Sequence, residues 1–404
     1  MMNHRLRKLP ILALAAGLTA AGLTGCAASQ EQHDQYVAEA NQRWLGVRSG
    51  LMLEMAQQHF DTGDLEMAER SVEDAMQMDQ TNPHLYVLAG RIALERSRLE
   101  RAFHLFEQAG KLNPELPEPH YYKGLVLQRW QQFDRAHAAY EQAYQAQPDN
   151  GSYLMAMSEM LVQMQQVDQA IELLESKLTY FDQNAGIRAA LGHLCRMQDR
   201  HEDAADYFKQ ASLLAPDSEK LREELALAQI EAGRHDAAIS NLEQLLARED
   251  HADRDGLRRA LAGAYVASGR VDKGRNIYLK LARKPDPDAT DWLRLAELAW
   301  KQDDLAATLT AANRVIRYAP DRHEGYLFAG LVWRERDRLD EALRMFDLAA
   351  ERSDKSATPL ILRGISLQKA GRIAAAADAY QQALDRNPAD PRAQRLLNAM
   401  PASN

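Results

Sequence analysis

Three closely spaced aspartates, Asp286, Asp288 and Asp291, are the residues whose spacing most suggests chemistry, because they partly match a calcium-binding loop. Such a loop also needs a glycine at its sharp turn and a glutamate that binds the ion through both oxygens. Neither residue stands at the required offset. We therefore favour a solvated acidic linker at this place over a calcium site.

Histidine and cysteine give no better candidate for catalysis or metal binding. The chain has 12 histidines, but none pairs at ligand spacing on one helix face with a third ligand nearby. Cys195 has no base at a recognisable offset and occupies a position where apolar residues recur, so we predict a buried, inert thiol. Phosphate-binding loops, zinc-protease motifs and nucleophile elbows are absent from the sequence. We expect neither an enzyme nor a cofactor nor a metal.

The N-terminus has the layout of a secretory signal. Basic residues at Arg5, Arg7 and Lys8 precede an apolar run over residues 9–23. A membrane-spanning helix is the alternative, but this run is shorter than the roughly 20 residues that cross a bilayer. The net charge of −9 makes nucleic acid an unfavourable partner for the rest of the chain.

The segment Leu23-Thr24-Gly25-Cys26 resembles the lipobox of bacterial lipoproteins. In that family the signal is cut before the cysteine, which then carries acyl chains such as palmitate. The resemblance implies removal of residues 1–25 and a lipid anchor on Cys26, strong enough to hold the protein at a membrane. It also implies a place in the bacterial envelope, facing the periplasm. Ala27 follows the cysteine where aspartate would favour the inner membrane, so the outer membrane is expected.

The rest of the chain is dominated by two series of small residues with a period of 34. The first series consists of Ala56, Gly90, Gly124, Ser158, Gly192 and Ala226, and resumes after a two-residue slip as Ala262, Ala296, Gly330 and Gly364. A second series, mostly alanine, runs twelve residues behind the first, and bulky aromatic residues follow in many repeats. Because antiparallel helices approach closely only at small side chains, this pattern predicts stacked helical hairpins. We expect Gly124 to meet Ala136 within one hairpin, and Tyr140 to wedge into the next.

This spacing resembles the tetratricopeptide repeat (TPR), a 34-residue helix–turn–helix. The resemblance implies an all-α TPR solenoid, a right-handed superhelix of antiparallel hairpins, in which each short helix needs its neighbours to bury an apolar face. A tether and an amphipathic leading helix are expected over 26–48, and a capping helix with a tail over 391–404. The ten repeats are predicted at 49–82, 83–116, 117–150, 151–184, 185–218, 219–254, 255–288, 289–322, 323–356 and 357–390. The stack could bend at 251–254 or 284–288, although a continuous stack is favoured.

In TPR proteins the first helices of the hairpins line a concave groove that binds other proteins or their peptide segments. Transferring the groove positions to this sequence gives the candidates Val87, Arg91, Tyr121, Leu125, Gln128, Met155, Glu159, His193, Arg196, Arg259, Glu297, Trp300 and Arg334. The resemblance thus implies a membrane-tethered scaffold or adaptor with envelope proteins as partners. Its setting would be assembly of a pilus, secretion or polysaccharide-export machine, or recruitment of cell-wall enzymes. A glycan-binding or glycan-processing protein that uses Glu297 with Trp300 is the alternative, and it requires a convergent pair of acids.

Overall fold

The computed structural model describes residues 15–247 and 254–400, and these residues form 21 α-helices and no β-strand. The predicted all-α fold is therefore confirmed for this part of the chain. Positions 1–14 of the predicted signal, 251–253 of the predicted insertion and 401–404 of the predicted tail lie outside it. No helix among the described residues is both long enough and apolar enough to cross a membrane.

The chain divides into two compact units, Met1–Leu194 and Cys195–Asn404, and helix α9 (Ala185–Met197) contains the boundary. Before it the helices are α1 (Ala15–Asp61), α2 (Leu65–Met78), α3 (Pro83–Glu95), α4 (Leu99–Leu112), α5 (Pro117–Arg129), α6 (Phe133–Ala146), α7 (Gly151–Gln163) and α8 (Val167–Lys177). After it they are α10 (His201–Leu214), α11 (Glu219–Glu231), α12 (His235–Leu246), α13 (Asp255–Ala267), α14 (Val271–Ala282), α15 (Ala289–Lys301), α16 (Leu305–Tyr318), α17 (His323–Glu335), α18 (Leu339–Glu351), α19 (Thr358–Lys369), α20 (Ile373–Arg386) and α21 (Pro391–Asn398).

The ends of these helices follow from local chemistry. The side chain of Asn82 accepts a hydrogen bond from the backbone N–H of His84 at the start of α3, and Pro83 takes the first helical position, where no N–H is needed. The turn inside each hairpin contains one residue with a positive φ. In four turns this residue is a glycine, for which the conformation is free of strain: Gly63, Gly233, Gly269 and Gly371. In the other six it has a side chain, such as Gln131 at +58°.

Helix α1 differs from the sequence-based expectation of a separate leading helix followed by a first repeat. It runs without a break for 47 residues, so the segment predicted to lead into the array is continuous with the first helix of the first hairpin. Nothing in the sequence around residue 48 stops a helix, since the nearby Gly46 and Gly50 are tolerated inside one at a cost of about 1 kcal/mol each.

In several hairpins a glycine of the first helix packs against an aromatic ring of the second helix. A Cβ placed on Gly124 would lie 2.5 Å from a ring carbon of Tyr140, so the glycine makes room for this ring. The same arrangement joins Gly90 to Phe106 and Gly330 to Phe346. In each pair the glycine belongs to the first helix of a hairpin and the aromatic residue to the second, so the ring packs directly onto the backbone of the first helix.

Tyr140 also shares a core cluster with Met157 and Met160 of the next hairpin, so its predicted role between hairpins is confirmed in part. Ala136 is fully buried in the same cluster, and Cys195 is buried as predicted. These contacts explain why the ring position is aromatic in many repeats. One side chain fills the space left by a glycine and at the same time reaches the neighbouring hairpin.

Gly274, on α14, is a point of close approach between two helices. A Cβ at this position would lie 2.6 Å from the carbonyl oxygen of Ala262 and 2.6 Å from a methyl group of Val266. The backbones of α13 and α14 therefore come together here more closely than an alanine would permit. Glycine at this position makes the close approach within the hairpin possible.

Candidate functional site on the first helices

All thirteen candidate groove residues lie on first helices of hairpins, namely α3, α5, α7, α9, α13, α15 and α17. Val87 is buried, Glu159 and His193 are exposed, and the others are half-buried. Half-buried side chains that face solvent along one surface are what a binding surface requires, because they keep a fixed position and still offer contacts. Each of the two units has a cleft lined mainly by residues of its own first helices.

The cleft of the N-terminal unit, here called cleft 1, lies between α1, α3 and α5 and has a volume of about 630 Å³. Its apolar residues are Leu53, Val87 and Leu88, with Tyr122 beside them. Its charged and polar lining consists of Glu54, Gln57, Gln58, Asp61, Thr62, His84, Arg91 and Glu118. Three carboxylates against one guanidinium make cleft 1 negative overall when histidine is neutral.

Arg91 is held in the wall of cleft 1 by aromatic rings. Its guanidinium lies 4.5 Å from the ring centre of Phe60 and 5.6 Å from that of Tyr122, and Nη1 donates a 3.3 Å hydrogen bond to Gln57 Oε1. Stacking of this kind stabilises the cation without neutralising it. Glu118 contributes a different feature, because its buried Oε2 accepts no hydrogen bond from the described protein. Cleft 1 thus presents fixed charges of both signs.

Tyr121, Leu125 and Gln128 support the surface more than they project from it. The ring of Tyr121 lies 5.5 Å from Tyr140 and 5.2 Å from Tyr153 between ring centres, and Leu125 packs in the same cluster. Burial raises the pKa of the Tyr121 and Tyr140 phenols, so both stay protonated at neutral pH. The packing of Tyr121 and Leu125 therefore fixes the shape of the candidate binding surface from below.

The amide of Gln128 joins two hairpins through hydrogen bonds. Tyr140 Oη donates to Gln128 Oε1 at 2.8 Å, and Gln128 Nε2 donates to Glu159 Oε1 at 3.1 Å. A partner that displaced the bond from Tyr140 would have to supply an equivalent one, since Tyr140 is fully buried and buried polar groups are costly to leave unpaired. Met155, on the same helix as Glu159, is half-buried beside it.

The cleft of the C-terminal unit, here called cleft 2, lies between α11, α13 and α15 and has a volume of about 680 Å³. Leu227, Ile230, Ala264, Tyr278 and Leu298 give it an apolar lining. The charged residues that line it are Arg259, Asp291, Arg294, Glu297 and Lys301. Cleft 2 therefore combines an apolar base with a slight excess of positive charge, the opposite sign to cleft 1.

Asp291 shows that the predicted acidic linker is wrong for this residue. The side chain is 1% exposed and lies in the first turn of α15, where both of its oxygens accept hydrogen bonds from Arg259, at 2.8 and 2.9 Å. This pairing raises the pKa of Arg259. Asp288 caps the same helix, accepting a 2.8 Å bond from the backbone of Thr290. Among the residues described, no three potential ligands converge on a metal site.

Most of the remaining charged candidates are also engaged in ion pairs. Arg196 binds both carboxylate oxygens of Glu231 at 2.8 Å and one of Glu224 at 3.1 Å, which links α9 to the next first helix. Arg334 pairs with its neighbour Glu335 at 2.9 Å. Because a partner protein would have to compete with these bonds, Arg196 and Arg259 contribute chiefly to the register of adjacent hairpins.

Glu297 accepts a hydrogen bond from Arg294 at 2.7 Å, and Trp300 is half-buried one turn further along α15. Glycoside hydrolysis requires two convergent carboxyl groups, whereas the group that contacts Glu297 is a guanidinium. This ion pair gives the glycan-processing alternative no support.

The sequence missed the residues that α1 contributes to cleft 1. The groove positions of the first repeat are occupied by Leu53, Gln57 and Phe60. In the second repeat the same positions hold Val87, Arg91 and Leu94. Applying the same positional rule to residues 49–82 would have found them. Glu54 and Tyr122 stand one position beyond groove positions, where the rule does not look.

Comparison with known proteins shows no match among curated sequences. Among solved structures, yeast Tom70 is 13% identical, with 87% of each chain covered and a TM-score of 0.43. The C-terminal part of a TPR protein from Cytophaga hutchinsonii is 13% identical over 59% of this chain and 97% of its own, with a TM-score of 0.47. MamA from Desulfovibrio magneticus RS-1 is 19% identical over 42% of this chain and 97% of its own, with a TM-score of 0.37.

Two family models described as tetratricopeptide repeat match the chain. One matches residues 131–194 and 229–298, and the other matches 293–357 and 361–397. Together these segments span more than half of the sequence, and the first helices inside them begin at regularly recurring positions, among them Gly151, Asp255, Ala289 and His323. The chain belongs to the tetratricopeptide-repeat family.

Proposed function

We propose that this protein is a lipid-anchored scaffold of the bacterial envelope whose first-helix surface binds segments of partner proteins. TPR proteins bind peptides or proteins and are generally not catalytic. The more specific part of the proposal is that this protein works in the bacterial envelope and is held there by a lipid. The anchor is Cys26, and the membrane is the outer one, facing the periplasm. The partners belong to an envelope machine for pilus assembly, secretion or polysaccharide export, or are cell-wall enzymes.

Cleft 1 is the observation that supports partner binding most strongly. Its apolar base can bury a hydrophobic side chain, and its rim of fixed charges can orient the polar backbone and flanking residues of an extended or helical peptide. Arg91 is already stacked between two rings, so little conformational entropy is lost when a ligand meets it. The negative rim favours a partner segment that carries basic residues.

Reversing the charge of the cleft 1 rim should release the partner without unfolding the protein. Glu54 and Asp61 are exposed, so Glu54→Lys with Asp61→Lys should change the free energy of unfolding by less than about 1 kcal/mol. We expect recovery of cross-linked partners from the native host, quantified by mass spectrometry, to fall at least about tenfold.

Asp74→Lys with Glu141→Lys is the matched control, because it makes the same change of charge at exposed positions on the second helices α2 and α6. This control should retain the partners that the unmodified protein recovers. Equal recovery by both double variants would show that cleft 1 does not bind the partner.

The lipid anchor has its own test. Mass spectrometry of the protein from native membranes should find a mature N-terminus at Cys26 that carries acyl chains, and labelling with a palmitate analogue should disappear in Cys26→Ser. A mature chain that begins elsewhere, or an unmodified Cys26, would exclude the anchor. The partner-binding surface would be unaffected by that outcome, because the residues that line cleft 1 begin only at Leu53.

A further inference from the structure

The exposed apolar side chains of the protein are concentrated on α1. Thirteen large hydrophobic residues are exposed in the described part of the chain, and six of them lie on this one helix. They are Tyr36, Val37, Trp44, Val47, Leu51 and Met55, each between 46 and 73% exposed. Scattered exposed hydrophobic residues are normal on a protein surface, whereas a contiguous group marks an interface.

These six side chains occupy one face of the helix. At 100° per residue they fall within an arc of roughly 100°, the width of the apolar stripe that a helix normally buries. The stripe extends over about 28 Å at 1.5 Å per residue. Gln35, Glu39 and Gln42 lie on the other side of the helix and are exposed polar residues, as expected for a face in water. We call the six-residue face the α1 stripe.

The two ends of the hairpin series are finished differently. At the C-terminal end, α21 packs Leu396 and Leu397 onto the last hairpin and exposes Arg392, Gln394 and Arg395. Terminal elements of repeat proteins need such a polar outer face. At the N-terminal end Leu51 and Met55 are exposed at the place where a preceding hairpin would pack.

We propose that the α1 stripe is covered by the α1 stripe of a second copy of this chain, so that the protein is a symmetric dimer. Because α21 already covers the C-terminal end of one copy, that end offers no apolar surface to the α1 stripe of another copy. The two copies therefore pair through their α1 stripes, which gives a symmetric dimer. The stripe exposes on the order of 700 Å², close to the roughly 800 Å² per partner of a standard protein interface. Trp44 stands near its centre, flanked by Arg48, whose guanidinium lies 5.3 Å from the Trp44 ring centre.

The test is the mass of the full chain, purified in mild detergent, by light scattering corrected for bound detergent. The unmodified protein should be a dimer at micromolar concentration. Val47→Glu with Leu51→Glu should weaken dimerisation by at least about a hundredfold and give a monomer, because two charges would have to be buried in the interface. Both residues are exposed in the single chain, so its helical circular dichroism should not change.

Gln35→Glu with Gln42→Glu is the matched control, since it adds the same two negative charges to the polar face of α1. This variant should remain a dimer. A monomeric unmodified protein, or a dimer that survives Val47→Glu with Leu51→Glu, would overturn the proposal. If that monomer bound phosphatidylcholine vesicles through the α1 stripe, a membrane and not a second copy would cover the stripe. Each of these results leaves partner binding at cleft 1 a separate question.

Discussion

Ala136→Glu should lower the free energy of unfolding of the hairpin α5–α6 by about 4 kcal/mol or more, the cost of burying an unpaired charge in a packed core. Ala136 is fully buried on α6, in a cluster with Leu127 and Tyr140. Because each hairpin contacts only its neighbours, the loss should be greatest in α5 to α7. Hydrogen exchange of the backbone amides measures it helix by helix.

Ala138→Glu is the control for this prediction. It lies two positions further along the same helix and is exposed, so the same substitution should change stability by less than about 0.5 kcal/mol. If the two variants lost protection equally, the register assigned to α6 would be incorrect.

Gly124→Val should cost about 3 kcal/mol, at the upper end of what overpacking a core usually costs. The added side chain would meet the ring of Tyr140, which is completely buried. Chemical denaturation and hydrogen exchange of α5 and α6 both report this loss. Gly110→Ala is the comparison, because a Cβ there has ordinary contacts of 3.6 Å or more, and the gain in helix propensity should stabilise α4 by up to about 1 kcal/mol.

A double-mutant cycle identifies the Tyr140 ring as the cause. Tyr140→Leu removes the ring and the hydrogen bond from its hydroxyl to Gln128, and should be destabilising on its own. The double variant Gly124→Val with Tyr140→Leu should lose less stability than the two single variants lose together. The difference should be about 1 to 3 kcal/mol, because the valine occupies space that the ring has left. Strict additivity would contradict the contact between residues 124 and 140.

The fold could be predicted from the sequence because small residues at a constant interval have a single structural meaning. Gly90 and Gly124 are 34 residues apart, as are Gly330 and Gly364, and only a repeated close approach of helices requires that. The partner of each glycine could not be predicted in the same way. Ala136 and Tyr140 are both suitable neighbours by spacing, and the choice between them depends on how the helices are rotated about their axes.

The sequence could predict that the candidate residues lie on first helices, but not what their side chains contact. The positional rule placed Arg91, Arg196 and Arg259 on first helices, where they lie. It could not show that Arg196 and Arg259 are already bound to carboxylates of the next first helix, because those partners belong to the following repeat. Asp291 was misjudged for the same reason. A short sequence window shows the aspartates, but not the arginine that buries one of them.

The central claim, that partners dock on the first helices at cleft 1, is tested most directly by site-specific photo-cross-linking in the native host. A photoreactive amino acid replaces His84, which is exposed and lines cleft 1, or Gln108, which is exposed on the second helix α4. The account predicts that a distinct partner is cross-linked from position 84 and not from position 108. Equal cross-linking from both positions, or cross-linking from position 108 alone, would contradict it.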